Sequence, residues 1–404
     1  MIATTFDPEH AIPATEFHER QDRARAAAAA QGLDGLVVWS RGGGPVDMSA
    51  DVVYLANHYS QQPYMADHAG IGRARSHGVL VLPVTRPSIL VIDVPWWRRD
   101  LVVADDVRTG NDVIDKAVDA MRSAGLGRGR VGLVGVSHMT AAAYLGFAAA
   151  LPDVELVRTD DLIERLRIYK SPAEVVAMRA AIALGDASVK AAMEAAVVGA
   201  TEADCAAQAA ASVARGGGVL YDAACASGEQ AHFFTWSRMP SSSLRPLERG
   251  DMFHMDCYGA LAGYFWDFGR TRVAGDEPSD RQRELVDASI EVVEAVCAAI
   301  RPGRTAAQVY AAGALAMADS DVIASIPVEA ADTEGFPAVG HGIGLGWEAP
   351  WLTPVDETVL VPGMTIAVET LIGHPSLGGG FFEENGVVTE TGFEVLTTAR
   401  RRWW

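Results

Sequence analysis

The sequence predicts a mixed α and β protein in two parts: an α/β domain over residues 1–164, and an α+β domain over residues 165–404. Three observations predict it. Helical and extended patterns alternate through the first region, as they do where helices cover a sheet. In the second region, helices followed by strand patterns occur twice in the same order, which points to two similar halves. Between the regions, Lys170-Ser171-Pro172-Ala173-Glu174 opens a long Ala-rich helix, with Ser171 as N-cap and Pro172 at the first helical position.

The elements follow in order. Residues 16–32 are Ala- and Arg-rich and read as a helix, and residues 35–39 are an apolar run. Residues 79–83 and 88–94 read as strands parted by the turn-like Thr85-Arg86-Pro87. Residues 111–124 read as helix, 130–136 as strand and 140–151 as helix. Gly42-Gly43-Gly44-Pro45 and Gly216-Gly217-Gly218 lack the spacing of a phosphate-binding loop and read as turns. Thr201-Glu202-Ala203-Asp204 caps a second helix of the larger domain. Residues 251–272 are then β-rich, 281–300 and 305–318 helical, and the chain is β-rich again from residue 365.

Composition narrows the function. With 404 residues the chain can bury a large core without disulfides. A formal charge of −19 repels phosphate backbones and anionic lipid, so neither nucleic acid nor membrane is an expected partner. Cys205, Cys225, Cys257 and Cys297 form no C-x-x-C pair and no thiolate zinc pattern. The opening residues lack a basic, apolar signal, and no apolar stretch is long enough to span a bilayer, so a cytoplasmic location is expected.

The informative residues are acids placed where strand patterns call for apolar side chains. Asp256 and Asp267 flank a segment that a tight turn over residues 259–263 would fold into a hairpin, setting the two directly opposite each other. Glu369 and Glu383 repeat the anomaly on either side of the Gly-rich residues 373–380. Between the pairs stands His341, in Val339-Gly340-His341-Gly342-Ile343-Gly344. Carboxylates this close in an apolar site cannot all ionise without a cation. Four carboxylates and one imidazole form a hard donor set that suits two divalent ions, of Mn, Fe, Co or Zn, with a bridging carboxylate.

With these residues in place, the second region resembles the pita-bread metallohydrolases, the peptidase M24 family of methionine aminopeptidase, aminopeptidase P, prolidase and creatinase. The resemblance covers residues 165–397. The family's ordered pattern falls on Asp256, Asp267, His341, Glu369 after Gly363-Met364, and Glu383 before Val388-Thr389-Glu390-Thr391-Gly392. It implies a C-terminal pita-bread (creatinase/aminopeptidase) fold behind a creatinase/prolidase-like N-terminal α/β domain. It also implies that Glu383 and Asp267 bridge the ions, that Asp256 chelates one, and that His341 and Glu369 serve the other. A homodimer is a further implication, with residues 47–64 of one subunit, read as a polar, aromatic loop, as the candidate to border the other's site.

Two departures bear on the substrate. Where peptidases of the family carry a second histidine, seven residues after the metal-binding one, this chain has Glu348, which cannot donate to an oxyanion unless protonated. Upstream of Arg249-Gly250-Asp251 the nearest histidine is His232, several residues earlier than the family pattern places one. The leading expectation is a hydrolase of a C–N bond in a small substrate, either an Xaa-Pro-like dipeptide or a specialised non-peptide amide. In it Glu383 or Glu348 moves the proton to the leaving nitrogen and His232 donates from nearby, while Trp236, Tyr264, Trp266 and Trp347 wall the pocket. The alternative is a lyase like the dimethylsulfoniopropionate lyase branch, with Glu348 as base, although that lyase's own catalytic Asp is replaced here by Trp347. A metal-free binding protein on the same fold ranks third, because all five ligands are retained.

Overall fold

The computed structural model describes residues 7–60, 62–63, 65–234, 239–275, 277–326 and 338–404. Two compact units emerge, Glu9–Arg167 and Ile168–Trp404, the latter also taking Asp7 and Pro8.

The first unit is built on six strands: β1 (Gly35–Arg41), β2 (His77–Pro83), β3 (Ile89–Ile92), β4 (Asp106–Thr109), β5 (Gly129–Val134) and β6 (Val154–Arg158). They lie in the order β4-β3-β2-β1-β5-β6. β2 runs antiparallel to both β1 and β3, and the remaining pairs are parallel. Every residue of β2 and β3 is buried, and all of β1 except Arg41, which fits a sheet covered on both faces. The helices are α1 (Ala14–Ala30), α2 (Ala50–Ala56), α3 (Val113–Ser123), α4 (Ala141–Ala149) and α5 (Asp160–Arg167).

One sequence expectation fails here. Residues 47–64 are not a polar loop throughout, because α2 lies inside them with Val52, Tyr54 and Leu55 buried. The Arg20 guanidinium lies 4.3 Å from the Tyr54 ring centroid. The flanking Asp47, Ser49, Asp51 and His58 disguise a short apolar run whose partners lie elsewhere in the sequence. Gln61 and Tyr64 of this segment lie outside the described residues.

The second unit opens with α6 (Pro172–Ala195) and α7 (Glu202–Arg215), followed by β7 (Val219–Ser227), β8 (Met252–Leu261), β9 (Tyr264–Asp267) and β10 (Arg270–Val273). The order then repeats: α8 (Asp280–Ala299), α9 (Ala306–Ala318) and α10 (Asp321–Ala324) precede β11 (Gly340–Ile343), β12 (Trp347–Trp351), β13 (Thr365–His374), β14 (Gly378–Val388) and β15 (Phe393–Val395). Reciprocal capping boxes fix four helix starts, Ser171 with Glu174, Thr201 with Asp204, Ser279 with Gln282 and Thr305 with Gln308. The strands form two sheets, β10-β8-β7 with β9 also paired to β8, and β12-β11-β13-β14-β15. α6 packs on β8 and β9, α8 on β13 and β14, and β14 lies against β8 and β10.

The β8–β9 register differs from the expected one. The turn has two residues, Ala262 and Gly263, both with positive φ (56° and 86°), so Leu261 pairs with Tyr264 and Tyr258, not Asp256, pairs with Asp267. The displacement is two residues, and side chains alternate with period two, so Asp256 and Asp267 still share a face. Beyond Asp267 the same register resumes, with Arg270 opposite Met255.

Arg270, fully buried, ties the two sheets and the C-terminal segment together. Its Nη1 donates to Gly269 O at 2.9 Å and to Glu383 O, its Nη2 to Glu384 Oε2 at 3.0 Å and Ala399 O at 3.4 Å, and its Nε to Arg400 O at 3.1 Å. Phe382 stacks beneath it at 4.3 Å. Removing one member of a buried ion pair leaves the other uncompensated. Arg270→Met is therefore expected to destabilise the protein by about 3–5 kcal/mol and to release residues 397–404 to proteolysis, checked by urea unfolding and mass spectrometry of the cleavage products.

Candidate metal centre

Strand alternation decides which side chains meet. On β8 and β9, Asp256, Tyr258 and Asp267 share one face. In the second sheet, His341 pairs with Ala367, Glu369 lies two residues beyond Ala367, and Glu369 pairs directly with Glu383. His341, Glu369 and Glu383 therefore also share a face. Asp267, His341 and Glu383 offer ligand atoms that all lie within 4.8 Å of one another. His341 Nε2 is 3.5 Å from Asp267 Oδ2 and 3.8 Å from Glu369 Oε1. Asp256, Asp267, His341 and Glu383 are buried, and the Glu369 side chain is only 13% exposed.

Electrostatics mark the cluster as unbalanced. Burial, then the charges of Asp267 and Glu369, push Asp256 well above the usual carboxylate range. Burial, then the same two neighbours and Asp256, do the same to Glu383. Burial lifts Glu369 to about 7, with His341 pulling it down and Asp267 pushing it up. Burial works to lower His341, but contact with Asp267 and the charge of Glu369 outweigh it and raise the imidazole above its ordinary value. Asp256 Oδ1, Asp267 Oδ1 and both Glu383 oxygens are buried without a hydrogen-bond partner among the described residues.

Such orphaned acceptors are what cations would satisfy. The imidazole is set up for the same task. His341 Nδ1 lies 3.0 Å from Gly342 O, and because a carbonyl only accepts, Nδ1 carries the hydrogen in that bond, so Nε2 is the atom turned to the carboxylates and the one that would offer its lone pair to a cation. The donor set therefore fits divalent metal on chemistry and on geometry.

Asn385, which the sequence reading missed, holds the backbone of Asp267 on both sides. Its Oδ1 accepts from Asp267 N at 3.0 Å, and its Nδ2 donates to Asp267 O. Lying two residues beyond Glu383, it is a polar residue on the ligand face of a strand whose residues are all buried, which is the signal that could have found it. His254 was missed as well. It lies two residues before Asp256 on the same face, and burial lowers it to about 4, so it is a neutral imidazole.

The other expected site residues divide. Trp347 joins the cluster: its Nε1 donates to Asp267 Oδ2 at 2.6 Å, and its ring lies 5.4 Å from that of His341. Glu348, next along β12, pairs with Gly342 and faces the opposite way. There it is buried and accepts from Lys170 Nζ. Gly344 makes room for this pair, since a Cβ there would come within 2.5 Å of Glu348 Oε1 and 2.9 Å of Lys170 Nζ.

Tyr264 and Trp266 are core rather than pocket wall. Both lie on the face of β9 away from Asp267, the Tyr264 hydroxyl donates to Glu174 Oε1 at 3.0 Å, and Trp266 packs over Gly185 of α6. His232 ends a 3-10 turn, Gly228–His232, where its Nδ1 bonds Glu229 O, its ring meets Phe233 edge-on at 4.5 Å, and its backbone lies against Gly373. These contacts tie it to its own turn and to β13. Trp236 lies outside the described residues.

If Glu348 is structural, Glu348→Ala strands a buried ammonium and is expected to lower stability by about 3–5 kcal/mol, whereas the double change Lys170→Met with Glu348→Leu leaves stability near the original. Thermal unfolding of the three proteins checks this. An unchanged melting temperature in Glu348→Ala together with lost turnover would instead make Glu348 catalytic.

Residues 176–390 match metallopeptidase family M24, and residues 20–169 match the creatinase/prolidase N-terminal domain. The probable dipeptidase PepE of Mycobacterium tuberculosis is 35% identical over 278 residues, covering 67% of this chain and 69% of that protein. The Xaa-Pro dipeptidase of Pyrococcus furiosus is 31% identical over 257 residues, 61% of this chain and 68% of that one. Among solved structures, dipeptidase PepE from Mycobacterium ulcerans superposes with a TM-score of 0.76 at 27% identity, covering 97% of this chain and 98% of that chain.

Proposed function

The chain belongs to metallopeptidase family M24, and on that footing we propose that it cleaves the amide bond of a dipeptide-like substrate with two divalent ions held by Asp256, Asp267, His341, Glu369 and Glu383. It is a metal-dependent hydrolase with a pita-bread catalytic region behind a creatinase-type N-terminal domain. The observation that carries the two-ion reading is the charge balance. Asp256, Asp267, Glu369 and Glu383 crowd one buried site beside His341, and two divalent cations would offset four negative charges. The dipeptide class is supported by the relatives, of which three are named Xaa-Pro dipeptidase.

Bound divalent ions supply Lewis acidity toward a carbonyl and acidify water. The residues of the chain do the rest. The His341 tautomer presents Nε2, Asn385 fixes the main chain that carries Asp267, and the rings of Trp347 and Trp351 flank His341. Glu383, whose two carboxylate oxygens lie in the cluster without a hydrogen-bond partner among the described residues, is the group placed to take a proton on one oxygen and return it to the leaving nitrogen. The lyase alternative needs Glu348 as base, and the Lys170 contact on the opposite face of β12 argues against it.

The test is chelation followed by reloading with Mn²⁺, Fe²⁺, Co²⁺ or Zn²⁺, with Xaa-Pro dipeptides, other dipeptides and non-peptide amides as substrates. Chelation is expected to abolish amine release and reloading to restore it at two ions per chain. Asp256→Asn is expected to lose more than the ~10–100-fold in metal affinity that loss of a ligand's hydrogen-bonded support costs. Full activity after chelation, or an unsaturated product in place of an amine, would contradict the reading.

A further inference from the structure

Trp347 brings a neutral, donor-only side chain to the cluster of acids. Its indole N–H is 2.6 Å from Asp267 Oδ2, the same oxygen that His341 Nε2 approaches at 3.5 Å. The other oxygen, Oδ1, is buried and without a hydrogen-bond partner among the described residues. Asn385 already fixes the main chain of Asp267 on both sides, so what is left undetermined is the rotation of the carboxylate. The indole removes that freedom.

The indole is itself held. Its ring lies 5.6 Å from that of Tyr258, the residue directly opposite Asp267, and 5.4 Å from that of His341. On the reverse face of β12, the adjacent Glu348 is anchored to Lys170. The strand is thus pinned from behind while Trp347 reaches forward. An indole nitrogen has a hydrogen and no available lone pair, so it can orient a carboxylate without competing for the ion.

We propose that Trp347 is a positioning residue of the metal centre. Its N–H fixes the Asp267 carboxylate so that Oδ1 stays presented to the cation, which deepens the metal reading above and rests on it. The side chain is 43% exposed, so its replacement leaves the core in place. Hydrogen-bonded supports of metal ligands typically contribute ~10–100-fold in metal affinity, which sets the size of the expected effect.

The experiment measures Mn²⁺ affinity of the full chain by electron paramagnetic resonance of the free ion, with metal-free melting temperature as the control. Two replacements separate the donor from the ring. Trp347→Phe removes the N–H and part of the ring, and β-(3-benzothienyl)alanine at position 347 keeps the shape and replaces N–H with sulfur. Both are expected to bind Mn²⁺ ~10–100-fold more weakly than the unaltered protein, with an unchanged metal-free melting temperature. If the benzothienyl protein binds Mn²⁺ as tightly as the original, the ring matters and the donor does not, and the proposal is overturned while the metal site stands. If the unaltered protein binds no Mn²⁺, the metal reading itself fails.

Discussion

Four acidic side chains share one buried volume, and the arrangement around them is what makes that possible. Transferring ionised carboxylates out of water is unfavourable by several kcal/mol each, even after relaxation. Without cations, burial and mutual repulsion drive Asp256 and Glu383 far up the pH scale and Glu369 to about 7. A sequence under no functional constraint would replace such residues with apolar ones. Their presence on the inward faces of two sheets is a physical argument for positively charged ligands, independent of any relative.

The surrounding structure orients the donors and leaves their ligand atoms open. Asn385 satisfies the peptide groups on either side of Asp267 but not its carboxylate. Gly342 O takes the Nδ1 hydrogen of His341 and leaves Nε2 facing inward. Arg270 bonds the main-chain oxygen of Glu383 and the side chain of Glu384, and both Glu383 carboxylate oxygens stay without a partner among the described residues. Arg270, whose charge reaches Glu383, is thus spent on backbone and on a neighbouring acid, and the negative charge of the cluster stays available to metal.

The acids that the fold gathers into one cluster were legible in the sequence because an acid inside an apolar strand contradicts its surroundings, and the contradiction occurs four times in order. The exact pairing was not. Ala262 adopts positive φ, which few residues other than glycine do, and the turn shortened to two residues. The shared face survived only because the error was an even number of residues. The same alternation would have excluded Trp266, which adjoins Asp267 on a strand and must point the other way.

Glu348 and His232 were beyond reach from sequence. The direction of Glu348 depends on a register shift between His341 and Gly342 and on Lys170, 178 residues away. His232 is held by Glu229 in its own turn, and its position in the sequence carries no sign of that. The helix within residues 47–64 was hidden because its burial depends on neighbours such as Arg20 that only the fold supplies.

Crystals of the metal-free protein soaked in Mn²⁺ and measured across the manganese absorption edge test the central claim most directly. Two anomalous peaks are expected, both bounded by Asp256, Asp267, His341, Glu369 and Glu383. A map without peaks there, or with manganese only on surface acids, would contradict the account.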